Sequence, residues 1–188
     1  MAAAYDHQAT VATGSEIAIT LRSGVVETHA FPTAQEAAER AAAIIEVLGW
    51  IGTPFRDCGF VKGPQGAVDC AMLLVGTYRA TGRIDDFDPR PYPPRWFQHR
   101  SEERFLDILR QLGARETQAP SPGDIGVWRF GRTYAHGAVL INAEEVCHAY
   151  AAAGQVTVSR LDEPLLSTIG WRGQTLPRPV KYFTLWGA

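Results

Sequence analysis

Residues 70–81, "CAMLLVGTYRAT", carry Leu73, Leu74 and Tyr78 with Met72 and Val75 alongside, so a helix over this stretch is apolar nearly all round. Such a helix has no solvated face and belongs at the centre of a domain, covered on several sides by other elements. The flanking sequence supplies the cover. "EIAITLRSGVVETHAF" (16–31) is rich in β-branched residues and interrupted by Ser23-Gly24, which predicts a hairpin. Thr33 followed by Glu36 is a capping box that opens an Ala-rich helix with Ile44, Ile45 and Leu48 as its apolar face, ended by Gly49. Residues 56–69 are rich in glycine and proline and predict a loop leading to Cys70. The four prolines of "DDFDPRPYPPRW" (85–96) predict an irregular connection, and Ser101 opens an amphipathic helix, "SEERFLDILRQLGA". Strands are expected at 124–130, 136–142, 145–150, 155–161 and 179–186. Helices come first and an antiparallel sheet second, the pattern of an α+β domain.

The 188 residues suffice for one domain of ordinary size, or one with an appendage. A formal charge of -2 gives no electrostatic footprint for nucleic acid. Arginines do mix with aromatics over 90–105, but Asp85, Asp86, Asp88, Glu102 and Glu103 crowd the same region, so nucleic-acid recognition is not expected. No stretch approaches the roughly 20 apolar residues of a membrane span. The start, "MAAAYDHQATVATGSE", lacks the basic and apolar regions of a secretory signal, and three cysteines without a CxxC pair make no disulfide framework. The expectation is a protein made in a reducing cytoplasm without a signal peptide, its thiols free.

Cys70 stands where loop becomes helix, with Asp69 as candidate N-cap. The first-turn N–H groups have no intrahelical partner, and the helix dipole is positive there. A thiolate is stabilised at such a place, which lowers the thiol pKa toward neutrality, and the same N–H groups can hold an oxyanion. The alternative is a buried structural cysteine. A nucleophilic thiol needs a base, and the base an orienting partner. Of five histidines, His7, His29 and His99 suggest no chemistry. His136 and His148 lie on consecutive strands around Asn142-Ala143-Glu144. A three-residue turn sets Ala138 opposite His148 and makes the two imidazoles diagonal neighbours on one face; a two-residue turn puts them on opposite faces. The alternative is a pair of ordinary strand histidines. A zinc site from Cys58, Cys70, Cys147 and His148 has no ligand pair at the usual spacing, and Cys147 and His148 point to opposite sides of a strand, so no metal is expected.

Taken together, "GTPF", "GAVDCAMLLVGTYRATG", "SPGDIGVWRF", "AHGAVLIN" and "VCHAY" resemble the NlpC family of papain-like peptidoglycan peptidases over about residues 45–187. The family places its nucleophile in a "-DCSG-" or "-DCLGL-" helix start, its histidine in "HVGIY" after a "PGD" strand, and its third member in a strand ending "-HA-". By position the resemblance makes Cys70 the nucleophile, His136 the base and His148 the residue that orients the imidazole. It implies a papain-like (NlpC-type) fold with the nucleophile at a helix N-terminus packed on an antiparallel sheet, and no cofactor. The chain departs from the pattern in three places. Ala71-Met72 replace Ser-Gly, "HGAVL" replaces "HVGIY", and Phe55 stands where a Tyr is frequent, removing a hydroxyl for which Tyr134 and Tyr150 are candidate substitutes.

"DPRPYPPRW" followed by "SEERFLDIL" resembles the branch of this family encoded with phage tail genes and gene-transfer particles. The resemblance implies a cysteine endopeptidase that cuts peptidoglycan stem peptides, with the D-γ-glutamyl–diamino acid bond expected. A virion or phage-like tail would carry it to the wall, its partners being tail hub or tip proteins. Residues 1–44 form an extension outside the peptidase domain at 45–188, and their hairpin is expected to dock on neighbouring tail proteins. Two alternatives stand beside this expectation: a structural tail component with no hydrolysis, and a thiol enzyme of another reaction, an amidase or acyl transferase.

Overall fold

In this computed structural model, residues 8–11, 14–21, 23–93 and 102–187 are described; His7, His99 and Ser101 lie outside them. The N-terminal stretch forms three antiparallel strands, β1 (Gln8–Val11), β2 (Glu16–Thr20) and β3 (Val26–Ala30), in the order β1-β2-β3. The expected hairpin is β2–β3, and β1 extends it by pairing Val11 with Ile17 and Gln8 with Thr20. Ile17 and Ile19 alternate inward with no exposed surface. They share one core with Ile44, Val47, Met72 and Leu73, so this small sheet packs into the same interior as the helices.

Helix α1 (Ala34–Leu48) starts at the expected cap, Thr33 Oγ1 accepting from Glu36 N at 3.1 Å. Its buried face is Ala37, Ala41, Ile44 and Val47, spaced three and four apart. Ile45 falls on the other side and is exposed, contrary to the expected face. The stretch expected to be loop holds a two-residue hairpin, β4 (Phe60–Val61) with β5 (Ala67–Val68). Gly66 permits it: a Cβ there would overlap the Val61 carbonyl oxygen. Helix α2 (Cys70–Ala80) buries Met72, Leu73, Leu74, Val75 and Tyr78 and is the central helix expected.

Helix α3 runs over Arg104–Gln111, later than its expected start. Glu103 has a non-helical backbone, and its carboxylate accepts from Tyr134 N at 2.9 Å instead of capping the helix. There follow β6 (Arg115–Thr117), β7 (Ile125–Phe130), β8 (Thr133–Leu140), β9 (Glu145–Tyr150) and β10 (Gln155–Arg160). A separate hairpin, β11 (Ser167–Ile169) with β12 (Thr175–Pro177), precedes β13 (Val180–Thr184). The main sheet has the order β10-β9-β8-β7-β13-β6, every neighbouring pair antiparallel.

Two sides of this sheet are separately packed. Val139, Ile141, Cys147, Ala149, Val156 and Val158 join the helical core. Trp128, Ala138, Leu140, Val146 and Leu166 form a second cluster. Among the described residues, no helix is long and apolar enough to cross a membrane.

Candidate active site

Cys70 is the first residue of α2, and the local sequence explains why the helix begins there. Asp69 is extended and its Oδ1 accepts from Met72 N at 2.9 Å, the N-cap bond that the sequence predicts. Its other oxygen accepts from Cys58 N at 2.7 Å and from the Tyr92 hydroxyl at 2.6 Å. A buried carboxylate with three donors clamps the loop before the helix, the helix start and the proline-rich connection to one point.

The thiol of Cys70 lies 3.8 Å from the Ala135 carbonyl oxygen. Between β7 and β8 the register pairs Trp128 with His136 but Arg129 with Tyr134, leaving Ala135 as the extra residue of a β-bulge. A bulge bends its strand and re-aims the neighbouring side chain. Here it brings the backbone at 135 against the thiol and sets the next residue, His136, on the wall of the same cavity. That cavity encloses about 320 Å³ and is walled by Cys70, His136, Phe55, Tyr92, Phe105 and Tyr150, among others.

Ile141 N donates to the Glu145 carbonyl at 2.8 Å and continues the β8–β9 ladder by one pair, so the turn proper is the three residues 142–144. Asn142, fully buried, fixes it by accepting from Glu144 N at 2.7 Å and Glu145 N at 2.9 Å with its side-chain oxygen. The register Val139↔Cys147, extended one residue, sets Ala138 opposite His148 and makes His136 its diagonal neighbour. The rings meet: His136 Nε2 and His148 Nδ1 are 2.8 Å apart. His148 has no exposed surface, and its Nε2 lies 3.1 Å from Ser159 Oγ on β10. Phe130 and Tyr150 pack against the His136 ring at 5.3 and 5.2 Å, and Tyr150 stacks parallel on His148 at 5.4 Å. The structure thus gathers Cys70 and His136 at one cavity, with His148 directly behind His136.

The electrostatics overturn one expectation. The thiol of Cys70 is pushed up to about 12, first by burial and then by the Asp69 carboxylate beside it. The backbone of Gly137 on β8 pulls it down most, and the backbone groups of Ala71 and Cys70 at the helix N-terminus add to this, but these effects are outweighed. His136 is held well below the ordinary histidine range by burial, by His148 and by Arg178; burial brings His148 to about 4. At neutral pH the cluster therefore rests as a thiol and two neutral imidazoles. Among the described residues no hydrogen bond joins the thiol to His136; the acceptor within its reach is the Ala135 carbonyl.

Tyr134, one candidate for the missing hydroxyl, lies with its ring 5.8 Å from Lys181 Nζ. The hydroxyl that reaches the nucleophile's cap comes from Tyr92, which the sequence left inside a proline-rich connection. Ser159 belongs to none of the motifs of the sequence. Its signal was present: on β10, Thr157 pairs with His148, so Ser159 is the diagonal neighbour on the same face. Cys147 turns its thiol the other way, toward the Val47 carbonyl at 3.6 Å. Among the described residues no group of three His, Cys, Asp or Glu could hold a metal ion.

A helix whose first residue is a cysteine, packed on an antiparallel sheet that carries two successive histidine strands, is the papain-like arrangement of the NlpC/P60 type, and solved structures share it. NlpC2 from Trichomonas vaginalis matches with a TM-score of 0.50 and 16% identity, covering 90% of this chain and 57% of that one. NlpC1 from the same organism matches at 0.49 and 15%, covering 90% and 54%, so the chain spans about half the length of these relatives. The peptidoglycan hydrolase RipB from Mycobacterium tuberculosis matches at 0.47 and 18%, covering 84% and 70%. At these identities the likeness is one of fold. No protein-family model and no curated protein matches the chain.

Proposed function

We propose that this chain is a cysteine endopeptidase that cleaves stem peptides of peptidoglycan. The observation that carries the reading is the thiol of Cys70 sharing a cavity with His136, whose Nε2 is engaged by His148 at 2.8 Å. In the proposed cycle Cys70 Sγ attacks the amide carbon while His136 Nδ1 takes the thiol proton. Because the resting pair is neutral, the proton moves as the C–S bond forms rather than beforehand. The Cys70 N–H, at the open end of α2, faces the developing oxyanion. His136 returns the proton to the leaving amine, which departs and leaves a thioester. Water, deprotonated by His136, then attacks the thioester carbonyl; the thiolate leaves and recovers that proton. His148 stays neutral and orients the base, as an Asp or Asn does in related triads.

The fold neighbours support the substrate class, since RipB is a peptidoglycan hydrolase. The D-γ-glutamyl–diamino acid bond rests on the resemblance to the NlpC family, and carriage in a phage-like tail on residues 88–96 and 101–109. In the same reading, the domain at 45–188 does the chemistry and the β1–β3 sheet docks on tail hub or tip proteins. Purified peptidoglycan digested with the wild-type chain should release muropeptides whose masses identify the cut bond, and Cys70→Ala should abolish release with the fold intact. Undiminished release by that variant overturns the reading, and release of whole stem peptides from the glycan identifies an amidase instead.

A further inference from the structure

His136, His148 and Ser159 step diagonally across three neighbouring strands, β8, β9 and β10, joined by contacts of 2.8 and 3.1 Å. Each contact holds one hydrogen, so the row has two polarities. In the first, His136 Nε2–H donates to His148 Nδ1, and His148 Nε2–H donates to the serine oxygen. His136 Nδ1 then carries a lone pair and can accept a proton. In the second, the serine hydroxyl donates to His148 Nε2, and His148 Nδ1–H donates to His136 Nε2. His136 must then carry its proton on Nδ1, where it cannot act as a base.

We propose that Ser159 is a positioning residue: by accepting from His148 Nε2–H it makes the first polarity available and so fixes the tautomer of His136 through His148. His148 is fully buried and Ser159 is 2% exposed, so water does not substitute for the serine oxygen at His148 Nε2. A buried N–H without an acceptor is costly. Without the serine oxygen, the proton of His148 moves to Nδ1, where His136 Nε2 accepts it, and the base is blocked. The tautomer claim stands on geometry alone; its consequence for rate rests on the hydrolase reading above.

Two-bond ¹H–¹⁵N spectra of the ¹⁵N-histidine-labelled full chain at neutral pH distinguish the tautomers directly. The wild type should show His136 and His148 both as Nε2–H, and Ser159→Ala should convert both to Nδ1–H. Ser159→Thr, which keeps the hydroxyl, should retain the wild-type signature. Muropeptide release should fall at least about tenfold in kcat for Ser159→Ala, with KM within about twofold, since the base and not the substrate contacts is altered. An unchanged signature in Ser159→Ala, a wild type already in the Nδ1–H form, or loss of the signature in Ser159→Thr each overturns the proposal. Full release by Cys70→Ala instead sinks the hydrolase reading and leaves the tautomer result standing.

Discussion

The hydroxyl of Tyr92 stands 2.6 Å from Asp69 Oδ2, on the residue immediately before the thiol. Cys58 N donates to the same oxygen from a left-handed backbone (φ 58°), a conformation held from its other side by Arg90 Nη1 on the Cys58 carbonyl at 3.1 Å. Asp69 is thus both cap and charge: it starts α2, and its negative field raises the Cys70 thiol. Tyr92→Phe removes one of the donors that neutralise this carboxylate. We expect the thiol of the variant to be alkylated by iodoacetamide about threefold to tenfold more slowly, from a further upward shift of half to one pKa unit, at a stability cost of about 1–2 kcal/mol. Peptide mass analysis of Cys70 alkylation against time checks this, and equal rates in the two proteins would show that the phenol does not reach the thiol's electrostatics.

The neutral resting state has its own signature. Burial and Asp69 hold the thiol at about 12, so the thiolate fraction of the free protein grows with every unit of pH through the neutral and alkaline range. Alkylation of Cys70 should therefore rise about tenfold per pH unit without levelling off below about pH 10. A thiolate–imidazolium pair formed in the free protein would produce a plateau near neutrality, and observing one would refute the assignment.

Acid should destabilise the fold through the same histidines. His148 is brought from 6.5 to about 4 by burial, so between those values the unfolded chain binds a proton that the folded one does not. Stability then rises with pH across this window: it is undiminished above 6.5 and falls as pH drops toward 4, by about 3 kcal/mol for this one group. His136, also depressed, adds to the loss in the same direction. Urea unfolding followed at a series of pH values should show the slope, and His148→Gln should flatten part of it; an unchanged slope in that variant would place the acid sensitivity elsewhere.

Much of this geometry could be read from residues close together in the chain. Thr33 and Asp69 announce their helices because an N-cap is a local bond, and the all-round apolar pattern of 72–78 could only be buried. The diagonal placement of His136 and His148 was legible up to one unknown, the turn length, which Asn142 settles with two bonds to backbone N–H groups. What could not be read depends on segments distant in sequence. Tyr92 reaches back to Asp69 over 23 residues, from the irregular connection that follows α2, which no periodicity encodes. The bulge at Ala135 arises from a register change against β7. The thiol's shift failed for a different reason: the dipole argument was right in sign, but the depth of burial that outweighs it is set by the tertiary fold.

The "SPGD" stretch carries no chemistry at the cavity, yet it ties the sheet to α1. Asp124 Oδ1 accepts from Arg40 Nη1 at 2.9 Å, its Oδ2 accepts from Ser121 N at 2.8 Å, and both charged side chains are nearly fully buried. The guanidinium is further held by the Pro122 carbonyl at 2.9 Å and Glu36 at 2.8 Å, and lies 4.3 Å from the Trp186 ring. Deleting Asp124 leaves the buried Arg40 guanidinium with Glu36 as its one carboxylate partner in a site closed to solvent. Asp124→Ala should therefore lose about 3–5 kcal/mol in urea unfolding, more than the same change at the exposed Asp162. Because part of the loss comes from a buried arginine left short of one carboxylate, Arg40→Met combined with Asp124→Ala should recover part of it. A double variant as unstable as the sum of the two single ones would show that the two residues act independently and that the pair does not fasten helix to sheet.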